Sequence, residues 1–139
     1  LDGVAIDAYQ ANTLGVESLI EVVSDLQSLQ RIVFASSMLV CPLGYQPKHD
    51  LDFCPTTVYG KSKVIGEHIV RSQATGKLNW TIVRPTSLWG PWFGVPYKNF
   101  FDAIADKRYI HPRGKRIWRS YGFVLNAFNN SSLLLSTSV

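Results

Sequence analysis

The chain has 139 residues, of which 46% are hydrophobic and 17% charged. This length suits a single domain, and the apolar content excludes a disordered chain. No apolar run approaches the roughly 20 residues of a membrane helix, and the first residues do not resemble a signal peptide, so no membrane partner is expected. Two cysteines, Cys41 and Cys54, are too few for a disulfide framework or a four-cysteine zinc site. We therefore predict no metal centre, and buried or half-buried thiols in a reducing, cytoplasmic compartment.

The charges are distributed unevenly along the chain. Residues 1–67 carry four basic and eight acidic side chains, whereas residues 68–139 carry ten basic and two acidic ones. Six of these basic residues crowd into positions 107–119. Such a cluster is either a solvated basic face or a site for an anion, such as a nucleotide diphosphate or a nucleic acid. It matches no nucleic-acid motif, so nucleic acid is not the expected partner, although a non-catalytic binding module with a basic anion site stays open as a rival function.

The first half of the chain alternates between a helix, a strand and a loop. Apolar residues at spacings of three to five predict a helix from Tyr9 to about Gln27. The run Arg31–Ala35 is apolar and partly β-branched, which is typical of a strand buried on both faces. Three prolines then predict a long loop over residues 38–56, and loops of that length in compact domains are usually functional.

The second half repeats the order of helix and strand. Thr56 or Thr57 can cap a helix that runs to about Ala74, and Trp80–Val83 reads as a second buried strand. Beyond it we predict a loop over 86–97, a short helix over Asn99–Ala105, a strand over 115–118 and a tail without helical period over 127–139. This order indicates an α/β fold, in which ligands lie at the carboxyl ends of the strands. Those ends are residues 36–37 and 84–87.

Tyr59 and Lys63 are the residues best suited to acid–base chemistry. They lie four apart near the start of a predicted helix, so both side chains share one face. A nearby ammonium favours the phenolate and can lower a tyrosine pKa by roughly 1–3 units. A tyrosine tuned in this way can take a proton from a sugar hydroxyl or return one to a ketone. Ser36 and Ser37 end the preceding strand, where a hydroxyl can either satisfy turn backbone or bond the reacting oxygen.

Taken together, these segments resemble the extended short-chain dehydrogenase/reductases, also called NAD-dependent epimerase/dehydratases. The resemblance covers about residues 5–126 and follows the order of the family's motifs. The matching segments are Tyr-Gln-Ala-Asn-Thr-Leu-Gly-Val (9–16), Val-Phe-Ala-Ser-Ser (33–37), Pro-Thr-Thr-Val-Tyr-Gly-Lys-Ser-Lys (55–63) with Gly-Glu (66–67), Arg-Pro (84–85) with Gly-Pro (90–91), and Arg-Ser-Tyr-Gly-Phe-Val (119–124).

The resemblance implies a role for individual residues. Ser37 would bond the substrate oxygen, Tyr59 would be the acid and base, and Lys63 would bond the nicotinamide ribose. The remaining implied contacts are with the cofactor through Asn12, Pro85 and Thr86, with the sugar through Ser87, and with the substrate diphosphate through Arg119. The implied cofactor is NAD, with NADP open, and the implied substrate is a nucleotide sugar.

The chain also departs from the family pattern. The Gly-rich turn that seats the pyrophosphate and the C-terminal substrate lobe have no counterpart in this sequence. We therefore expect a partial Rossmann-type doubly wound parallel sheet over residues 1–126, a divergent tail over 127–139, and an incomplete, inactive fragment of an epimerase or reductase. The choice between these activities, the sugar and the oligomeric state of the parent, with a homodimer as one option, stay open.

Overall fold

The computed structural model describes residues 5–76, 78–110, 114 and 120–136. Within these residues the chain alternates helices and short strands, as predicted for an α/β fold. Two 3-10 segments, Ile6–Asn12 and Met38–Val40, accompany the regular elements. The helices and strands are α1 (Leu14–Ser24), β1 (Ile32–Ala35), α2 (Val58–Gln73), β2 (Trp80–Val83), β3 (Ser87–Trp89), α3 (Tyr97–Ala105), β4 (Tyr121–Phe123) and α4 (Val124–Ser136).

Strands β1 and β2 form a parallel pair whose connection runs through helix α2. Their register joins Ile32 to Trp80 at one end and Ala35 to Val83 at the other. Helices α1 and α2 pack against each other and cover the pair, and the core between them contains Ile20, Phe34, Val70 and Ala74. Because the strands are parallel, the residues that follow Ala35 and Val83 emerge at the same edge of the sheet.

Helix α2 begins and ends close to where the sequence predicts. The Thr57 hydroxyl accepts a hydrogen bond from the Gly60 N–H at 3.0 Å, which is the N-cap geometry expected of threonine. The helix ends at Gln73, and Gly76 follows with a φ of +79°, a conformation that glycine adopts without strain. The predicted strands over 31–35 and 80–83 are likewise confirmed within one residue.

The predicted helix over residues 9–27 is wrong in one respect, since it is broken at Thr13. That residue has φ −122° and ψ −87°, which separates the 3-10 segment Ile6–Asn12 from α1. Both the N–H and the hydroxyl of Thr13 donate to the Gln10 carbonyl, at 3.1 and 3.3 Å. A threonine side chain that competes for the backbone in this way favours a turn over a continuous helix.

Three other predictions are corrected or fall outside the described residues. The loop predicted over 86–97 contains strand β3, which pairs in parallel with β4, and α3 begins at Tyr97 rather than Asn99. A three-residue strand such as β3 has too short an apolar pattern to stand out, and its pairing with β4 is non-local. The strand predicted over 115–118 lies outside the described residues.

The tail predicted to lack helical structure instead forms helix α4. Its serines are compatible with a helix because Ser131 and Ser136 donate to carbonyls one turn back, at Ala127 and Leu133. The Leu134 carbonyl also accepts a hydrogen bond of 2.9 Å from the Arg31 guanidinium next to β1. Tertiary contacts therefore compensate for a weak local pattern.

None of the helices in the described part of the chain combines the length and the apolar character needed to cross a membrane.

Candidate active site

Lys63 extends from α2 to the carboxyl end of β1, and Tyr59, one turn earlier on the helix, lies beside it. The Lys63 ammonium donates a hydrogen bond of 2.9 Å to the carbonyl of Ala35, the last residue of that strand. The same Nζ atom lies 5.8 Å from the centroid of the Tyr59 ring, within the range of cation–π attraction. Burial lowers the pKa of Lys63, because desolvation disfavours the charged amine. The structure thus brings the two residues together at the sheet edge.

Asn12 holds the 3-10 segment against the helix that carries Tyr59. Its amide donates to the hydroxyl of Ser62 at 3.0 Å, and Ser62 in turn donates to the Tyr59 carbonyl at 2.7 Å. Ser62 is completely buried, so both bonds are shielded from water. Tyr9, from the same segment, packs its ring 5.7 Å from that of Tyr59. Asn12 also lines, together with Lys63, a cavity of about 210 Å³.

Two glycines allow α2 to approach its neighbours closely. A Cβ atom at Gly60 would lie 2.2 Å from the Leu39 carbonyl oxygen, and one at Gly66 would lie 2.6 Å from the Asn12 carbonyl oxygen. Both distances are far below van der Waals contact, so only glycine fits. The active-site helix is therefore held in register with the loop that follows β1 and with the 3-10 segment.

We expect Gly60→Ala to destabilise the protein by about 1–3 kcal/mol, because the added methyl group forces backbone to move. The gain in helix propensity, about 1 kcal/mol at most, is too small to compensate. Gly15→Ala in α1 is the matched control, since its Cβ would lie 3.7 Å or more from its neighbours. Urea denaturation of the two variants measures the difference, and equal stability would show that α2 does not need this close approach.

Ser37 lies at the end of β1 and is almost fully buried. Its hydroxyl oxygen accepts a hydrogen bond of 3.1 Å from the Leu39 N–H and so caps the 3-10 segment Met38–Val40. This bond uses a lone pair of the oxygen, which leaves the hydroxyl hydrogen able to donate. Both predicted roles of a serine at this point, turn satisfaction and donation to a ligand, are thus compatible in one side chain.

The residues after β2 connect the site to the second strand pair. The Pro85 carbonyl accepts a hydrogen bond of 3.1 Å from Met38 N–H, which joins the loops that follow β1 and β2. The Thr86 hydroxyl donates to the Ser120 carbonyl at 2.6 Å, and Ser87 is the first residue of β3. Arg119, predicted to meet a diphosphate, lies outside the described residues.

Behind the site the structure contains a buried ion pair that was not predicted from the sequence. Both carboxylate oxygens of Glu67, on α2, accept hydrogen bonds of 2.7 Å from Arg84, and the Glu67 side chain is only 1% exposed. Arg84 also donates to the Asp50 carbonyl at 2.6 Å, and Arg71 pairs with the carboxylate of Asp50. This network ties together α2, the loop after β1 and the end of β2. The only sequence signal for it is a glutamate on the face of α2 that also carries Val70.

The electrostatics of this pair favour the charged forms of both partners. Burial alone would raise the pKa of Glu67, but the Arg84 hydrogen bonds and the positive charges of Arg84 and Arg71 outweigh it, so the pKa lies below its usual value. The Glu67 hydrogen bonds correspondingly raise the pKa of Arg84. Bidentate hydrogen bonds between guanidinium and carboxylate hold both groups in one geometry.

A cavity of about 420 Å³ opens beside these residues. It is lined by the loop that follows β1, including Met38 and Cys41, and by Arg84, Thr86 and Ser120. Cys41 is buried and Cys54 half-buried, and neither forms a disulfide, as predicted for both thiols. Neither Tyr59 nor Lys63 is among the lining residues of this cavity, since Lys63 lines the smaller cavity instead. The candidate active site is therefore the pair of Tyr59 and Lys63 at the carboxyl end of β1, with the larger cavity beside the loops that follow β1 and β2.

The comparison with protein families identifies the family of this chain. The model of the NAD dependent epimerase/dehydratase family matches residues 4–111. The chain therefore belongs to that family, and the resemblance inferred from the motifs is confirmed. None of the curated protein sequences compared with this chain matches it significantly.

Solved structures establish the fold independently. A UDP-glucuronic acid 4-epimerase from Bacillus cereus, in complex with UDP-glucuronic acid and NAD, superposes with a TM-score of 0.73 at 16% identity over 94% of this chain and 43% of its own. A UDP-glucose 4-epimerase from Thermus thermophilus, in complex with NAD, gives 0.67 at 20% identity over 94% and 47%. A GalE-like L-threonine dehydrogenase from Cupriavidus necator gives 0.72 at 21% identity over 94% and 51%.

At these identities the superpositions define the fold alone, which is a partial Rossmann-type α/β fold. The chain spans about half the length of the proteins it resembles.

Proposed function

We propose that this chain supplies the Ser37, Tyr59 and Lys63 side chains of an NAD-dependent enzyme that epimerises or reduces a nucleotide sugar. The observation that carries the proposal is the hydrogen bond from Lys63 to the Ala35 carbonyl, which holds the ammonium beside the Tyr59 ring at the carboxyl edge of the sheet. Ligands of open α/β sheets bind at that edge. Family membership, together with similar structures described as complexes with NAD and nucleotide sugars, supports the same proposal.

The donors of the site fit a nicotinamide ribose and a sugar hydroxyl. The Lys63 ammonium has three hydrogens and gives one to Ala35, so two remain for ribose hydroxyls. The Ser37 hydroxyl keeps its hydrogen for an oxygen of the substrate. NAD, when bound, would accept a hydride from the substrate carbon that bears the reacting hydroxyl.

In this mechanism Tyr59 moves the proton. Its phenolate oxygen takes the proton of the sugar hydroxyl as the carbon is oxidised, and the resulting phenol returns a proton when the ketone is reduced. The Lys63 ammonium lies 5.8 Å from the centre of the Tyr59 ring, so its positive charge is close to the group that transfers the proton. Ser37 donates to the reacting oxygen and so orients it toward Tyr59.

Two activities share these residues. In an epimerase the hydride returns to the opposite face of the ketosugar, and in a reductase the reduced cofactor, NADH or NADPH, is consumed. The similar structures include both sugar epimerases and a threonine dehydrogenase, so the assay must include epimerisation and net oxidation or reduction. The complete protein that its gene encodes should be incubated with UDP-hexoses and NAD or NADP, with NMR of the sugar C4 proton as the readout.

The outcomes of this assay are distinct. A C4 epimer formed without net change in cofactor absorbance supports epimerisation, and stoichiometric cofactor consumption supports reduction. If neither product forms with any nucleotide sugar, and DNA instead binds with a steep dependence on salt, the rival binding module is favoured and the proposed function is wrong.

We expect the complete protein to form no 4-keto-6-deoxy sugar. In the dehydratases that the sequence resembles, an aspartate and a glutamate follow the strand-end hydroxyl residue and perform the elimination. The corresponding residues here are Met38 and Leu39, which have no titratable group. Loss of a general acid and a general base could cost up to roughly 10⁴–10⁸-fold if the two effects multiplied. Mass spectrometry of the products tests this, and a product lighter by one water at ordinary turnover would contradict it.

A further inference from the structure

The two cysteines lie side by side where the loop that follows the 3-10 segment Met38–Val40 begins and ends. The Cys54 N–H donates to the Val40 carbonyl at 3.1 Å, which brings the two ends of the loop together. The Cys41 thiol donates to the Asp52 carbonyl at 3.2 Å. Each cysteine thus contacts the chain within two residues of the other. Both are free thiols in this structure.

We propose that Cys41 and Cys54 are a modification site that forms a reversible disulfide with a low-molecular-weight disulfide as oxidant. Disulfides require two cysteines at short range, and the contacts of Cys54 with the Val40 carbonyl and of Cys41 with the Asp52 carbonyl bring the two residues together. The pair takes no part in the chemistry proposed for Tyr59 and Lys63. Its oxidation is therefore a property separate from the proposed function.

The order of the two steps follows from the exposure of the thiols. Cys54 is half-buried, whereas Cys41 is 5% exposed, so the Cys54 thiolate attacks the small disulfide first. One sulfur of the oxidant becomes bonded to Cys54, and the other leaves as a thiol. The Cys41 thiolate then attacks the Cys54 sulfur, and the second small thiol leaves. The two cysteines lose two electrons, the oxidant gains them, and both cysteine protons end on the released thiols.

The local charges make the first step slow at neutral pH. Burial, the hydrogen bond with the Cys41 thiol, and the nearby charges of Cys41 and Asp52 raise the pKa of Cys54, against a smaller opposing effect of the Tyr45 hydroxyl. The thiolate is the attacking species, so the reaction rate should increase with pH. We therefore expect the disulfide to form slowly at neutral pH, unlike the disulfide of a reactive catalytic cysteine.

The disulfide would fix one wall of the larger cavity. Cys41 lines that cavity together with the loop residues up to Pro47, and the same loop carries Asp52, whose carboxylate accepts from the Tyr45 hydroxyl at 2.9 and 3.0 Å. Closing the loop with a covalent bond between Cys41 and Cys54 would restrict its movement about the cavity. Oxidation would then alter access to the cavity without touching Tyr59 or Lys63.

Intact-mass spectrometry of the chain exposed to glutathione disulfide tests the proposal. We expect the native chain to lose two hydrogens and to carry no lasting glutathione adduct, and to regain both hydrogens in dithiothreitol. Once glutathione is bound to Cys54, its release by Cys41 should be at least about tenfold faster in the native chain than in urea, where loop closure must be achieved by a flexible chain. Cys41→Ser should retain one glutathione on Cys54, because the resolving thiol is gone.

Three results would overturn the proposal. They are a native wild-type chain that keeps the glutathione adduct, one that does not react at all, and an adduct on Cys54 that is released by Cys41 no faster in the native chain than in urea. Circular dichroism before each reaction establishes that the native sample is folded. None of these readouts depends on enzymatic activity, so failure here is distinguishable from failure of the proposed function.

Discussion

Tyr59→Phe in the complete protein is expected to lower turnover by roughly 10²–10⁴-fold, because it removes the group that transfers the proton. The phenyl ring keeps the packing against the Tyr9 ring and the approach of Lys63 Nζ to its face. NAD affinity should stay within a few-fold, since Lys63 provides the proposed contact with the ribose. The measurements are kcat by the epimerisation assay and the NAD dissociation constant by calorimetry.

Tyr9→Phe is the matched control for this substitution. It removes a hydroxyl from the neighbouring ring, 5.7 Å away, and should leave turnover within a few-fold because Tyr9 has no proposed role in the chemistry. If Tyr59→Phe keeps more than half of the wild-type turnover, the assignment of Tyr59 as the acid and base is wrong. If both variants lose activity equally, the ring pair acts through packing instead.

The local elements of the site could be predicted from the sequence because their signals are local. The cap at Thr57, the four-residue spacing of Tyr59 and Lys63, and the β-branched run that ends at Ala35 are each set by neighbouring residues. The convergence of the two strand ends follows from the parallel pairing that an α/β order implies. These signals suffice to bring Lys63 to the carboxyl end of β1.

The features that could not be predicted depend on contacts between distant residues. Arg84 pairs with Glu67 on another element, and no local pattern marks which of the fourteen basic residues fills that role. The apolar residues of helix α4 show only a weak helical period, and its contact with Arg31 joins residues more than a hundred positions apart in the sequence. Propensity is a weak guide to such segments, because tertiary packing decides them.

We expect Arg84→Met to destabilise the protein by about 3–5 kcal/mol, because it leaves a buried carboxylate without its partner. Glu67 is 1% exposed, and among the described residues the nearest remaining cation is the Arg71 guanidinium, which lies 3.6 Å from the carboxylate without the bidentate geometry. The double variant Glu67→Leu with Arg84→Met should recover much of the loss, since replacing a whole buried pair by apolar groups is often nearly neutral. Urea denaturation of the single and double variants measures both effects.

The pH dependence of the stability of Arg84→Met distinguishes a loss of charge from a loss of side-chain packing. In the wild-type protein the pKa of Glu67 is lowered on folding, so the stability it contributes is present above its usual value of about 4.5 and is lost as the pH falls below it. Without Arg84, we expect burial to outweigh the remaining charge of Arg71 and to raise the pKa of Glu67, so that protonation stabilises the variant as the pH falls. The stability gap between Arg84→Met and the wild type should therefore begin to narrow above about pH 4.5, where the Glu67 carboxyl of the variant becomes protonated, and should narrow further below it, where the wild type loses its contribution. The Arg84 side chain also packs against Phe53, whose ring centroid lies 5.0 Å from the guanidinium carbon. A stability gap that stays constant down to about pH 3 would mean that Arg84 stabilises the fold through this packing and not through its charge.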